Sequence, residues 1–141
     1  MRRFALLASF LGLSVLAQAG CEKKATFAAV EGVIKINGQP ESGLLIQFLP
    51  DHKQDTRGPR STGESGEEGK FTLTADSGET GAVVGFHKVV VEDTRRKQAM
   101  QGQVPSPDDS RVPERFTQLK DTPIVVEVKP STPIVIELTR P

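Results

Sequence analysis

The sequence predicts an all-β protein, an antiparallel β-sandwich preceded by an N-terminal signal segment. Three observations carry this. Apolar and polar residues alternate with a period of two through most of the chain beyond residue 27. The alternating runs are short and are bounded by Gly, Pro, Asn and Asp, and helical periodicity is almost absent. Short strands with one apolar face bury that face by packing two sheets together.

The elements follow in order. In residues 30–36, Val30, Ile34 and Ile36 share one face and Glu31 and Lys35 the other. Gly32 stands mid-strand, where a missing Cβ permits close backbone approach. Asn37-Gly38 tolerates positive φ and marks a tight turn. Leu44, Ile46 and Phe48 alternate with Leu45 and Gln47 up to Pro50. Residues 51–69 are polar, with a short edge strand expected near Arg60–Gly63. In the next strand, over 70–74, Phe71 and Leu73 point inward and Thr72 and Thr74 outward. Residues 82–92 form another, with His87, Val89 and Val91 on one face and Phe86 and Val90 on the other. Thr122-Pro123-Ile124-Val125-Val126-Glu127-Val128 is nearly repeated ten residues later by Thr132-Pro133-Ile134-Val135-Ile136-Glu137-Leu138. The pair reads as two similar strands of one sheet motif, each with Pro at its start, where the missing N–H costs least. Ile124, Val126, Ile134, Ile136, Phe48 and Phe71 are expected in the core, and Glu127, Glu137, Thr72 and Lys35 in solvent. This gives six clear strands and one weak one.

The N-terminus reads as an export signal. Arg2 and Arg3 precede a mostly apolar stretch from Phe4 to Ala17, 14 residues long and too short to span a bilayer. Two processing routes compete. Ala17-Gln18-Ala19 is an A-x-A site, and cleavage after Ala19 would release a soluble periplasmic or secreted protein. Ala19-Gly20-Cys21 resembles a lipobox, with cleavage before Cys21 and lipid on its sulfur; Gln18 departs from the usual aliphatic residue. The count of one cysteine in the whole chain favours lipidation at Cys21, because an exported protein gains nothing from a lone oxidisable thiol. The expected layout is a lipoprotein signal peptide over 1–20, a tether over 21–27 and the sandwich domain over 28–141. Within that domain, residues 93–122 form a long irregular loop. Residues 94–111 are its least ordered part, with tryptic cleavage at Arg95, Arg96, Lys97 or Arg111.

Composition narrows the function. Basic and acidic residues number 18 each, and after signal removal 16 basic residues face 18 acidic ones, a net charge of −2. Nucleic-acid binders need a basic excess, so no nucleic-acid partner is expected. The chain has no Trp and no Tyr, which weakens a carbohydrate-stacking role. No cofactor motif stands out. Gly63-Glu64-Ser65-Gly66-Glu67 misses the nucleophile elbow by one position, and Gly69-Lys70 lacks the spacing of a phosphate loop. His52 and His87 have no partner at metal-ligand spacing. Asp108, Asp109 and Glu114 offer hard oxygens without an EF-hand pattern. Arg95-Arg96-Lys97 is a basic cluster that reads as exposed. No catalytic residue, cofactor site or metal site is assigned.

Four blocks carry a resemblance: Val30 to Ile34 with Asn37-Gly38-Gln39-Pro40 and Gly43; Gly66 to Leu73; Gly85 to Val91; and Val112 to Phe116 with Thr122 to Val128. In this order they resemble the small lipoproteins of planctomycete-type bacteria that carry a carboxypeptidase-regulatory-like, transthyretin-like (prealbumin-like) domain. The resemblance covers nearly all of the chain beyond the signal. It implies a seven-stranded Greek-key sandwich of transthyretin-like or immunoglobulin-like layout, an envelope location and no catalytic motif. The expectation is therefore a non-catalytic module held on the membrane by a lipid anchor, with a structural or protein-interaction role. A glycan- or small-molecule-binding module is the first alternative and a hydrolase the second.

Overall fold

The computed structural model describes residues 24–95 and 110–141. Cys21, the signal segment and the basic stretch beyond Arg95 lie outside the described residues, as do Asp108 and Asp109. Eleven strands occur among the described residues: β1 (Phe27–Ala28), β2 (Glu31–Ile36), β3 (Gln39–Pro40), β4 (Leu44–Pro50), β5 (Ser61–Glu64) and β6 (Lys70–Thr72), then β7 (Thr74–Ala75), β8 (Ala82–Val83), β9 (Gly85–Asp93), β10 (Val125–Val128) and β11 (Ile134–Leu138). The larger sheet has the order β10-β9-β4-β5-β7, with every neighbour antiparallel. The smaller sheet has the order β11-β2-β3, with β6 also alongside β2, and β1 pairs β8 separately. None of the helices among these residues is long and apolar enough to cross a membrane.

The fold is all-β, as the alternation predicts, with four differences from the sequence expectation. One pair, β11 with β2, is parallel rather than antiparallel. The two near-repeat strands belong to different sheets, β10 to the larger and β11 to the smaller. Two runs expected as single strands are each split. Phe71, Leu73 and Ala75 are all buried, yet β6 pairs with β2 and β7 with β5, so the chain changes sheets at Leu73. Gly63 permits that crossing, because a Cβ there would lie 2.0 Å from the Thr72 carbonyl oxygen. The run over 82–92 breaks at Val84, whose N–H donates to the Thr26 carbonyl at 2.8 Å. Among the described residues, paired structure thus begins at Phe27. β5, expected at a sheet edge, lies between β4 and β7.

The two sheets share one core. Leu44, Ile46, Phe48, Val89, Val91 and Val128 of the larger sheet meet Ile34, Ile36, Phe71, Ile134, Ile136 and Leu138 of the smaller. The Phe48 and Phe71 rings join the layers, 6.5 Å apart and tilted by 54°. Full burial of such a side chain contributes about 1.5–3 kcal/mol, so these twelve dominate the driving force. Gly32 lets the Phe71 ring lie on β2, since a Cβ there would meet Phe71 Cζ at 2.4 Å. Ile124 and Val126, expected in the core, are half-buried, and Val125 is exposed. The reason is position: among the described residues β10 ends its sheet and has a neighbour on one side only. Lys35, expected in solvent, is half-buried on the central strand of its sheet.

The second half of the long connection is packed rather than irregular. Val112 and Phe116 enter the core, and Glu114–Phe116 makes a 3-10 turn after Pro113. Thr122 donates its hydroxyl to the Val89 carbonyl at 2.6 Å. Arg111, expected to be open to protease, keeps only 16% of its side chain exposed. Trypsin is accordingly expected to leave the Arg111–Val112 bond intact in native protein and to cut after Arg95 first. N-terminal sequencing of the early fragments checks this; a fragment beginning at Val112 before any other would contradict it.

Candidate functional site

Three constellations emerge. The first gathers around Arg111, at the end of β9. Its Nε donates to Asp93 Oδ2 at 2.9 Å and its Nη2 to Asp93 Oδ1 at 2.8 Å, a bidentate fork. Nη1 donates to Glu41 Oε2 at 2.8 Å and to the Ser42 carbonyl at 2.9 Å, and Nη2 also to the Gly43 carbonyl at 3.3 Å. A guanidinium has five N–H donors, and all five are used. The cluster therefore has no donor left for a substrate anion; its chemistry is that of a clamp. It fastens the residues just before β4 to the end of β9 and to the far end of the long connection. Thr94 adds to it, donating both its N–H and its hydroxyl to the Gly43 carbonyl. Burial alone would raise the Asp93 pKa, but the hydrogen bonds and charge of Arg111 outweigh it and hold the carboxyl below its ordinary value. Asp93, through its hydrogen bonds and charge, in turn raises the Arg111 pKa.

The second constellation is interior. His87 is fully buried on β9, its ring 5.8 Å from that of Phe48. Nδ1 lies 3.2 Å from the Gly85 carbonyl oxygen and so carries the proton, which leaves Nε2 as an acceptor with no partner among the described residues. Ser61 Oγ is likewise buried and without a partner. Ser61 pairs with Phe48 on one side of β4, whereas His87 pairs with Pro50 on the other. The two polar atoms thus flank the Phe48 strand and form no nucleophile–base pair. Burial lowers the His87 pKa, partly offset by the Gly85 carbonyl. Because the folded value lies below the ordinary 6.5, this residue does not affect stability above that pH. As pH falls through that value the unfolded chain takes up the proton first, and stability drops. Lowering the pH from about 7.5 to about 5 is expected to reduce the urea midpoint of the wild type. His87→Leu should flatten the profile over that window, and an unchanged slope would contradict the assignment.

The third is a groove of about 540 Å³ over the outer face of the smaller sheet. β2, β6 and β11 supply Glu31, Val33, Lys70, Thr72 and Val135 to it, and Glu64 of β5 also lines it. Strand alternation puts these side chains outward, opposite Ile34 and Ile136. Lys70 is tied to Glu68 at 2.5 Å.

The residues singled out in the sequence are scattered. His52 is exposed on a 3-10 turn, away from any group of three or more His, Cys, Asp or Glu able to hold a metal; none occurs among the described residues. Ser65, centre of the elbow-like stretch, is buried and accepts the Leu44 N–H at 3.0 Å, a structural role. Glu114 is exposed and accepts from Gln118 Nε2 at 3.2 Å. The clamp was not foreseen, since Glu41, Asp93 and Arg111 are far apart in sequence. The outward position of Val135 was legible from the alternation. No family model matches the chain, and no curated protein or solved structure matches it.

Proposed function

We propose that this chain is an exported, non-catalytic module of the bacterial cell envelope, anchored through lipid on Cys21 and serving to dock a neighbouring envelope protein. Its domain is, in this reading, an elaborated seven-stranded Greek-key sandwich of the transthyretin-like kind, with extra short strands where runs change partners. The observation that carries the reading is the placement of paired structure immediately after the lipobox-like segment. Thr26 and Phe27 are already bonded into the domain, so a lipid on Cys21 would hold the sandwich at the membrane surface. Two or more acyl chains, each adding about 0.8 kcal/mol per buried methylene, make such an anchor stable. The Arg111 clamp and the filled core support a rigid body that presents surface.

A small-molecule or glycan reading draws on the groove. Its one aromatic lining residue, Phe71, is buried in the core, so the groove presents no open ring on which a sugar could stack, and docking of a protein is the better account. Chemical crosslinking in intact cells, followed by fractionation, tests the proposal. The expected result is a discrete crosslinked adduct in the membrane fraction, lost in Cys21→Ser. Uncrosslinked protein found only in the soluble fraction would overturn it.

A further inference from the structure

The outer face of the smaller sheet is built in rows. Val135 is in register with Val33 and Val33 with Lys70; Glu31 is in register with Thr72. Val135 is 64% exposed, a large value for an aliphatic residue in a strand. Glu31 and Pro133 also line a second hollow, of about 390 Å³. Among the groove-lining side chains the charge is unbalanced, Glu31 and Glu64 facing a single Lys70. Lys70 is committed to Glu68, while Glu31 is exposed and has no ion-pair partner among the described residues.

The edge beside this face is also open. β11 has β2 on one side and no strand on the other among the described residues. Sheet edges are usually blunted by lysine, proline within the strand, or a bulge. β11 reads Ile-Val-Ile-Glu-Leu, and its one charged side chain, Glu137, is engaged in accepting the Gly38 N–H at 2.6 Å. An extended chain can therefore add to this edge by backbone hydrogen bonding. Its side chains two residues apart then share the outer face. One would lie on Val135 and Val33, and the next would reach across Pro133 toward Glu31.

We propose that the free edge of β11 and the adjoining groove bind an extended segment of a partner protein that carries a Lys or Arg two residues from a branched apolar residue, the cation pairing with Glu31. This deepens the docking role proposed above and rests on it. The test uses the full chain in non-ionic detergent and two fluorescently labelled decapeptides, one repeating Lys-Thr-Val-Thr and the other Glu-Thr-Val-Thr, so that charge and valine stand two residues apart on one face, read by anisotropy. Wild type should prefer the Lys peptide by about fivefold, the scale of one exposed ion pair exchanged for a repulsion. Glu31→Lys should reverse the preference, and Val135→Asp should weaken both peptides. Both positions are exposed, so unchanged circular dichroism is expected of the variants and verifies that they fold. Equal binding of the two peptides, or a preference untouched by Glu31→Lys, would overturn the inference. Crosslinking in cells separates the two levels: an adduct equally strong in Glu31→Lys refutes the groove but not docking, whereas no adduct in wild type refutes docking itself.

Discussion

Replacing Phe71 with alanine is expected to lower the free energy of unfolding by about 3–5 kcal/mol, a large part of what a domain of this size possesses. Phe71 is buried where the sheets meet, with Phe48 on one side and the backbone of Gly32 beneath it. Neither neighbour can move in to fill the space, because Phe48 is itself fully enclosed and β2 is held by β11, β3 and β6. Glu137→Ala provides the comparison. That side chain points away from the core and its one bond, from the Gly38 N–H, is exposed, so the loss should be about 0.5–1 kcal/mol. Urea unfolding of both variants decides the matter. Equal losses would contradict the inward and outward assignments on which the whole packing rests, since a slip of one residue exchanges the two faces.

Arg111→Met should be nearly as damaging, at about 3 kcal/mol, the lower end for stripping the partner from a buried charge. The lower end applies because the guanidinium keeps some contact with water while the Asp93 side chain is only 4% exposed. The variant leaves that carboxylate enclosed without its two strongest donors. Asp93→Leu combined with Arg111→Met should recover part of the loss, because it removes the stranded charge. The pH dependence has a definite sign. In the wild type the Asp93 carboxyl titrates below its ordinary 3.8, so its contribution is complete above that pH and is lost as pH falls through the lowered value. In Arg111→Met the backbone N–H groups of Arg95 and of position 111 remain, but burial, the largest influence, is no longer offset by the guanidinium; protonation then relieves the strain, so the two proteins should converge in stability as the solution is acidified below about pH 4. A gap that widens with acid would contradict the clamp.

The contrast between these two predictions marks what the sequence could tell. Phe71 and Glu137 were legible because alternation is a local signal: residues two apart share a face whatever strand lies beside them. The same signal places Phe48, Ile134 and Ile136 inside and Glu127 and Thr72 outside. Asn37-Gly38 announced its turn, and both residues have positive φ. Pairing is non-local, and there the reading stopped. Nothing in Val125–Val128 and Ile134–Leu138, so alike in sequence, says that one lies antiparallel to β9 and the other parallel to β2. The changes of partner at Leu73 and Val84 leave the alternation almost undisturbed, so they pass unseen. Arg111 was misread for a related reason. An arginine in a polar, proline-containing stretch reads as solvated, and only the fold brings Glu41 and Asp93 within 3 Å of it. The groove stands between these cases: the outward residues were legible singly, but their assembly into one face required knowing that β11, β2 and β6 are neighbours.

The central claim, that the domain is held on a membrane through Cys21, is tested most directly by intact mass spectrometry of the mature protein purified from its own cells. The account predicts a chain that begins at Cys21 and carries the added mass of a diacylglyceryl group. An unmodified chain that begins at Gly20 would contradict it.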